Sequence, residues 1–403
     1  MKKLFILLLL FSFILTNFLF AQNKIKFSAQ VRPRMQFDNR DFNSATDMNT
    51  FSQLRTRLGI LFTPIENLSA FIQIQDSRMF GTEPSTLSNI SNVDLHQGYF
   101  TLDNFFSLPL SLKAGRFELL YGSQRLIGPV GWHNVGRSFD GGVLTLKTNP
   151  VDVDFVAART NETLLHGDSS DVFVYNIYGR IKALENFKIE PFIIMENKNN
   201  FPFFRYTIGI FASNINKGPG FYHELEAAYQ AGEQNSTQDI SAFMITYNLK
   251  YTFATKSKPS IGGGIDYLSG DDGKDSEKFK VFNTLYATNH KFYGYMDYFL
   301  NIPLNTYNLG LMDIHIKGDI VAINKLKLAL AYHLFKANAD YTLADGGTSK
   351  LFGNELDFTA FYNYNEMTKL IGGFSFFTPG DIFKEKRGEN ISTWFYLMAV
   401  ISI

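Results

Sequence analysis

The chain has 403 residues, and its 38 lysines and arginines balance 38 aspartates and glutamates, giving a formal net charge of zero. This balance excludes the global basic field with which many proteins attract nucleic acid. Cysteine is absent, which excludes disulfides, thiol catalysis and thiolate metal sites. Aromatic residues are 16% of the chain, with 41 phenylalanines, yet the mean hydropathy is -0.08. A mean hydropathy near zero is expected when apolar and polar residues alternate, because the two kinds of residue cancel in the average.

The N-terminus has the pattern of a signal peptide. Lys2 and Lys3 precede an apolar run from Leu4 to Phe20, and Ala21 supplies a small residue at the expected cleavage point. The alternative is a single membrane anchor, but the run is short for a spanning helix, which needs roughly 20 residues. We therefore predict a signal peptide over residues 1–21 and a single barrel domain over residues 22–403.

Strict alternation begins directly after this segment. Apolar residues occupy the odd positions from Ile25 to Phe37, and polar residues occupy the even positions from Lys26 to Gln36. Successive side chains of a strand point to opposite faces, so this pattern predicts one lipid-facing and one water-facing side. The same alternation recurs further along, for example over residues 243–253 and 312–320.

The alternating segments predict an all-β fold, a transmembrane antiparallel β-barrel of about 18 strands with both termini on the periplasmic side. Short connections after even-numbered strands and longer ones after odd-numbered strands support this orientation. The longest connection, Gly270 to Gly310, is either a lid or contains an extra strand. The predicted strands are 24–38, 50–63, 68–80, 93–103, 109–122, 137–148, 151–160, 171–183, 187–197, 203–214, 221–232, 239–254, 260–270, 311–323, 326–337, 352–364, 368–378 and 391–403.

Arginines are concentrated in the first half of the barrel. The alternation turns Arg32, Arg34, Arg55 and Arg57 into the lumen, and Arg205 lies further round the wall. A guanidinium pairs with carboxylates in a fixed planar geometry, so such a cluster favours the passage of anions. The alternative is that these arginines pair with acidic residues and stiffen the wall. The later strands are richer in acidic residues, which predicts a lumen that is basic on one arc and acidic on another.

One glycine-rich segment is too specific for a generic loop. Between Gly115 and Leu144 the chain reads GRFELLYGSQRLIGPVGWHNVGRSFDGGVL. Further short motifs follow the same order along the chain: VDLHQ at 93–97, YLSGDD at 267–272, KFYGYMDYF at 291–299, ELD at 355–357 and PGD at 379–381. On these motifs the chain resembles the bacterial alginate export family of outer-membrane barrels.

The resemblance implies an eighteen-stranded barrel whose arginine-rich constriction passes an anionic sugar polymer outward. On the matching motif positions it adds lumen residues to those that the alternation indicates. The basic ones are Arg116, Arg125 and Arg137, and their acidic neighbours are Asp94, Glu118 and Asp140.

Other chemistry has little support in the sequence. The seven histidines are scattered without the spacing of a hydrolase or metalloprotease, so we predict no enzymatic activity and no cofactor. Asp271, Asp272 and Asp275 form a weak candidate for calcium, because clustered carboxylates supply oxygen ligands. Their spacing lacks a regular pattern, and an ordinary solvated acidic loop is the alternative.

The predicted function is therefore a channel of the bacterial outer membrane that passes an anionic, alginate-like polysaccharide or its fragments. The alternative is a closed or general-diffusion barrel without polymer selectivity, with the loop from Arg125 to Asp140 folded inward as a seal. The expected partners are outer-membrane lipid, the anionic polysaccharide and periplasmic export proteins. Nucleic acid is not expected as a partner.

Overall fold

The computed structural model describes residues 24–88, 91–161, 171–199, 201–215 and 218–403. The predicted signal peptide, residues 1–21, lies outside these ranges. The strands are β1 Ile25–Asn39, β2 Asn49–Ile65, β3 Leu68–Met79, β4 Val93–Asp103, β5 Leu110–Phe117, β6 Phe139–Lys147, β7 Val151–Asn161, β8 Val172–Ile181, β9 Phe187–Lys198, β10 Phe203–Asn214, β11 Gly220–Asn235, β12 Gln238–Thr252, β13 Ser260–Leu268, β14 Lys278–Phe279, β15 Leu311–Ile323, β16 Leu326–Thr342, β17 Thr348–Asn363, β18 Thr368–Pro379 and β19 Ser392–Ser402.

Eighteen of these strands form one closed antiparallel barrel, as predicted. Each strand pairs with its neighbours along the chain, and β1 closes the ring by pairing with both β2 and β19. The exception is β14, a two-residue strand that pairs in parallel with the start of β12, where Asp239 lies opposite Lys278. It occupies the position next to β12 beyond the end of β13, within the connection for which an extra strand was one of the two alternatives.

The alternation of the sequence appears directly in the wall. In β15, Asp313 and His315 are buried on the inner face, whereas Ile314 and Ile316 are 38% and 60% exposed on the outer face. Exposed isoleucine, leucine and phenylalanine side chains recur on the outer face of the other strands as well. This apolar outer band is the surface that lipid covers in a transmembrane barrel.

The connections differ at the two ends of the barrel. At the end that carries both termini, here called the terminal end, the turns are short, such as the one between Ile323 and Leu326. The opposite end, the loop end, carries two long segments, residues 118–138 (loop A) and residues 269–310 (loop B). Three other connections at the loop end are short, after β9, β11 and β16, so the predicted regular alternation of lengths is incomplete.

In the part of the chain that the structure describes, the helices are short and lie in connections. They are the 3-10 helices Phe105–Ser107 and Asn289–Lys291 and the α-helices α1 Ile302–Asn305 and α2 Asp381–Lys386. Across the described ranges, no helix is long and apolar enough to cross a membrane.

The barrel interior is packed with side chains from the loops and the wall. Phe299 of loop B lies 4.5 Å from Phe335 of β16, measured between ring centroids, and Tyr298 lies 4.8 Å from Phe42. Phe377 of β18 and Phe383 of α2 complete this aromatic cluster at the loop end. Because apolar rings fill the space between the loops and the wall, the loops have a fixed place inside the lumen.

Two strand boundaries differ from the prediction near loop A. The strand predicted over 109–122 ends at Phe117, and the one predicted over 137–148 begins at Phe139. Both phenylalanines point inward and are almost completely buried, at 0% and 2% exposure. The chain leaves the wall between them, because the polar and glycine-rich residues 118–138 pair with loop B and the inner face of the wall.

Candidate functional site

Loops A and B meet in the middle of the lumen. Ile127 and Tyr286 form a parallel bridge, and the Leu126 carbonyl accepts a hydrogen bond from the Tyr286 amide at 2.8 Å. The Thr288 amide donates to the Gln124 carbonyl at 2.9 Å on the other side of this bridge. Two segments about 160 positions apart in the chain therefore form a single partition inside the barrel.

Three arginines of the first two strands hold loop A. Arg32 and Arg55 both donate to the carbonyl oxygens of Gly131 and His133, at 2.6 to 3.1 Å. Arg34 donates to the Trp132 carbonyl at 3.1 Å, and its guanidinium lies 4.3 Å from the centre of the Trp132 ring. These three guanidiniums are 4 to 6% exposed and form no ion pair within the described ranges. Their direct hydrogen-bond partners on loop A are therefore neutral carbonyl oxygens.

Arg57 and Arg137 fix the two ends of loop A. Arg57 forms an ion pair with Glu118 at 3.2 Å, and Glu118 also contacts His96 at 2.7 Å. Arg137 donates to the Ala287 carbonyl at 3.1 Å and to the Tyr286 carbonyl, so it joins loop A to loop B. These residues serve as anchors between loop and wall.

Arg125 is the most deeply buried of the predicted basic residues. It forms an ion pair with Asp266 of β13, and both side chains are almost inaccessible to solvent, at 2% and 0%. Its guanidinium also lies 3.9 Å from the centre of the Phe292 ring in loop B. Burial opposes the charge, but Asp266, Tyr293 and the nearby glutamates Glu226 and Glu224 together outweigh burial and raise the pKa of Arg125. Arg125 therefore anchors the partition to the wall.

Loop B is attached to β17 through its backbone. The Met296 amide donates to the Glu355 carboxylate at 2.8 Å, and the Tyr295 amide lies 3.4 Å from the Asp357 carboxylate. Gly294 has a φ of +76°, and a Cβ at this position would meet the Glu355 carboxylate at 2.5 Å. Glycine is required here both for the backbone conformation and for the close approach.

The partition separates two cavities. One, of 600 Å³, opens at the loop end and is lined by acidic residues such as Asp41 and Asp297, with Met296 at its base. The other, of 420 Å³, lies on the side of the terminal end, and Tyr295 lines it. Tyr295 and Met296 are adjacent in the chain, so the wall between the cavities is one chain layer thick at this point. Burial and the neighbouring Asp357 raise the pKa of Tyr295 to about 12, so its phenol keeps its proton at neutral pH.

The inner cavity of 420 Å³ has an excess of positive charge. Five cationic side chains and three carboxylates line it. The cations are Arg125, Lys250, Lys291, Lys317 and Lys327, and the carboxylates are Glu224, Asp319 and Asp357. Lys250 and Lys317 form no ion pair in the part of the chain that the structure describes, whereas Lys327 pairs with Asp319 at 3.0 Å. Tyr222 and Phe292 add aromatic faces.

These lysines were missed as site residues, although their signal is present in the sequence. Lys250 and Lys317 occupy polar positions of the alternating pattern on β12 and β15 and so had to point inward. The later strands contain many acidic residues, so the sequence predicted an acidic arc there and the lysines were not assigned to the site. In the structure three of those acids, Glu226, Asp266 and Glu355, are at most 3% exposed and bind the loops.

Arg116 and Asp140 do not lie in the lumen, which corrects the prediction. They are opposite each other in register and form an ion pair at 2.6 Å with 37% and 58% of their side chains exposed. Their neighbours Phe117 and Phe139 point inward, so alternation turns Arg116 and Asp140 to the outer face. The pairings of β5 with β4 and with β6 are regular at these positions, so the alternation within β5 and β6 sets this orientation.

The remaining predicted residues have different surroundings. Arg205 is buried on the inner face and pairs with Glu196 at 3.0 Å. Asp94 lies opposite Gln75, near the loop end of β4, and is exposed.

The calcium candidates lie on an exposed part of loop B. Asp272 pairs with Lys274 at 2.8 Å, and Asp275 pairs with Lys280 at 2.9 Å. Asp271 accepts hydrogen bonds from two backbone amides. The lysines already neutralise two of the three carboxylates, so this turn has the contacts of a solvated acidic loop.

Comparison with known proteins agrees with this architecture. The sequence profile described as alginate export matches residues 23–396. A search of curated protein sequences finds no match. Among solved structures, Pseudomonas aeruginosa OpdQ has a TM-score of 0.63 at 13% identity over 94% of this chain and 98% of that one.

Two further structures are similar to the same degree. P. aeruginosa OccK5 (OpdH) has a TM-score of 0.58 at 13% identity, over 95% of this chain and 99% of that one. Acinetobacter baumannii OccAB4 has a TM-score of 0.59 at 13% identity, over 94% and 98%. At such identities the likeness concerns the fold alone.

Proposed function

Because the chain belongs to the alginate export family, we propose that it carries anionic sugar polymers or their fragments across the outer membrane, without catalysis. Family membership and the closed barrel make the protein a bacterial outer-membrane channel. We further propose that both termini lie on the periplasmic side and that the signal peptide directs the chain to the periplasm. Periplasmic export proteins would then deliver the polymer to the terminal end of the barrel.

The observation that carries the proposal is the charge of the inner cavity. Lys250 and Lys317 project from the wall without an acidic partner in the described ranges, so their ammonium groups are free to exchange water for a carboxylate of the solute. A lysine is a compact, mobile cation that binds and releases anions, whereas a guanidinium held in a fixed network does not move with the solute. Conduction requires binding sites that are also easily vacated.

The surroundings of these lysines suit a sugar. A ligand site is mostly apolar with a few placed polar groups, and this cavity combines the rings of Tyr222, Phe292 and Tyr295 with charged side chains. Aromatic rings present flat apolar surfaces to the C–H faces of a pyranose, while the lysines bind its carboxylate. An acidic sugar therefore matches both components of the lining.

The arginines of β1 and β2 also favour selectivity for anions. Arg32, Arg34 and Arg55 bring three positive charges to the lumen without a direct ion pair in the described ranges, and their carbonyl partners carry only partial charges. We propose that these arginines serve two roles, holding loop A and giving the lumen a positive potential. This differs from an open arginine lining, because the guanidiniums are buried behind the loop.

A second candidate function, a closed structural barrel, is favoured by one observation. Loops A and B are joined by backbone hydrogen bonds inside the lumen, and the adjacent residues Tyr295 and Met296 line two different cavities. In this case the barrel would pass no solute in any state. We consider the channel the better account, because cationic side chains without partners on the inner wall have no structural role in a sealed barrel.

The test is the ion selectivity of the purified protein in a planar bilayer. We expect an anion-selective zero-current potential in a salt gradient, reduced in the double variant Lys250→Gln and Lys317→Gln, which removes two charges from the lumen wall. Arg116→Gln is the matched control, because it removes a positive charge from the outer face. No current in wild type would favour the closed barrel, and cation selectivity would contradict the proposed solute.

A further inference from the structure

Two histidines and an aspartate form a compact group on the inner face of β15 and β16. His315 and His333 lie opposite each other in register, and Asp313 precedes His315 by two residues, so all three side chains point to the same face. The Nδ1 atoms lie 3.2 Å and 2.9 Å from the Asp313 carboxylate. One ligand atom from each residue lies within 4.8 Å of the other two.

The group is buried and its charge is only partly balanced. Asp313 and Asp266 are paired across neighbouring strands, and both are 0% exposed. Arg125 forms an ion pair with Asp266, and no lysine or arginine pairs with Asp313 within the described ranges. Lys317, on the same strand, forms no ion pair either. Like charges directly opposite each other in a sheet are destabilising, so Asp313 requires a positive charge from its surroundings.

His315 has a second polar partner on the other side of its ring. Its Nε2 lies 2.8 Å from Oδ1 of Asn248, while its Nδ1 lies 3.2 Å from Oδ2 of Asp313. With Nε2 donating to Asn248, Nδ1 of a neutral ring directs its lone pair at the carboxylate, and a cation between the two acceptors would stabilise this arrangement. A metal-bound histidine commonly donates its second N–H to such a partner.

We propose that Asp313, His315 and His333 bind a first-row divalent metal ion of the Zn²⁺ type. Two imidazole nitrogens and one carboxylate oxygen are a common ligand set for this ion, and they leave a fourth position for water. His315 also lines the inner cavity, which gives a hydrated ion a path to the site. The ion would tie β15 to β16 and supply the positive charge that Asp313 lacks.

The experiment is a Zn²⁺ titration of the purified full-length barrel in detergent, stripped with chelator and carrying a histidine-free tag. We expect one Zn²⁺ per chain. The variants His333→Ala and Asp313→Asn should weaken binding at least ~100-fold, since loss of a second-shell partner alone costs about 10–100-fold. His223→Ala is the control: this histidine is exposed on β11 and bonded to the Tyr247 hydroxyl, so binding should not change.

A measurement on the wild-type protein gives a test that does not depend on whether the variants fold. Zn²⁺ should raise the unfolding temperature of wild type, and chelator should reverse the increase. Co²⁺ in place of Zn²⁺ should give the visible absorption of a tetrahedral site with nitrogen and oxygen ligands. Absence of a one-to-one site, or a site that survives in both His333→Ala and Asp313→Asn, would overturn the proposal in favour of protonated histidines beside Asp313.

Discussion

At the scale of single residues, inward-pointing charges act mainly as anchors. The alternation indicated that Arg32, Arg34 and Arg55 point inward, but their partners are carbonyl oxygens of residues 131–133, about 100 positions later in the chain. Nothing in the spacing of β1 and β2 encodes that pairing. Arg116 shows a different limit: the family resemblance implied a lumen position, whereas the regular pairing of β5 with β4 and β6 places it on the outer face.

The ion pair between Arg125 and Asp266 gives a prediction at this scale. Arg125→Met leaves the buried Asp266 carboxylate without its partner, so we expect the free energy of unfolding to fall by about 3–5 kcal/mol. Guanidinium unfolding followed by tryptophan fluorescence measures the change, because Trp132 lies in loop A. The matched control Arg116→Met breaks the exposed pair with Asp140 and should cost about 0–1 kcal/mol.

A second variant separates loss of the pair from loss of packing. Adding Asp266→Leu to Arg125→Met removes the unpaired carboxylate and should restore part of the lost stability. If Arg125→Met and Arg116→Met had equal effects, the anchoring role of Arg125 would be wrong.

At the scale of elements, the two inward loops are the main feature that sequence patterns did not determine. The strands followed from alternation, because each strand buries one face and exposes the other. Loops A and B have no periodic pattern, and their positions depend on contacts with each other and with wall strands that are distant in the chain, such as β1, β2, β13 and β17. The sequence offered two alternatives for loop B, a lid or extra strand, and the structure contains both, an inward loop with the short β14.

Gly294 gives a prediction for loop B. Gly294→Ala places a methyl group 2.5 Å from the Glu355 carboxylate, so we expect loop B to shift away from β17 and expose Trp132, which stacks 4.3 Å from His290. Acrylamide quenching of tryptophan fluorescence should increase.

Gly273→Ala is the matched control for this change. Gly273 also has a positive φ, +71°, but nothing lies within 4 Å of its added Cβ. Both variants place a Cβ on a residue with positive φ and so have a similar backbone strain. Only Gly294→Ala adds a steric clash with Glu355. Equal quenching in both would mean that the contact with Glu355 does not hold the loop.

At the scale of the whole molecule, alternation was sufficient to predict the fold. The number of strands, the antiparallel order and the closed barrel are confirmed, because a lipid-facing wall imposes the same two-residue period on every strand. The alginate export family, predicted from the motifs between Gly115 and Leu144, is confirmed as well. The interior was less predictable, since buried acids and free lysines alternate on the same strands and only the folded loops determine which are covered.

The measurement that tests the central claim most directly is liposome swelling with two sugars of equal length, an oligouronate and a neutral oligosaccharide. The account predicts faster entry of the oligouronate into vesicles that contain the wild-type barrel, and loss of this preference in the variant Lys250→Gln and Lys317→Gln. Equal or faster entry of the neutral sugar, or no entry of either, would contradict a channel for anionic sugars.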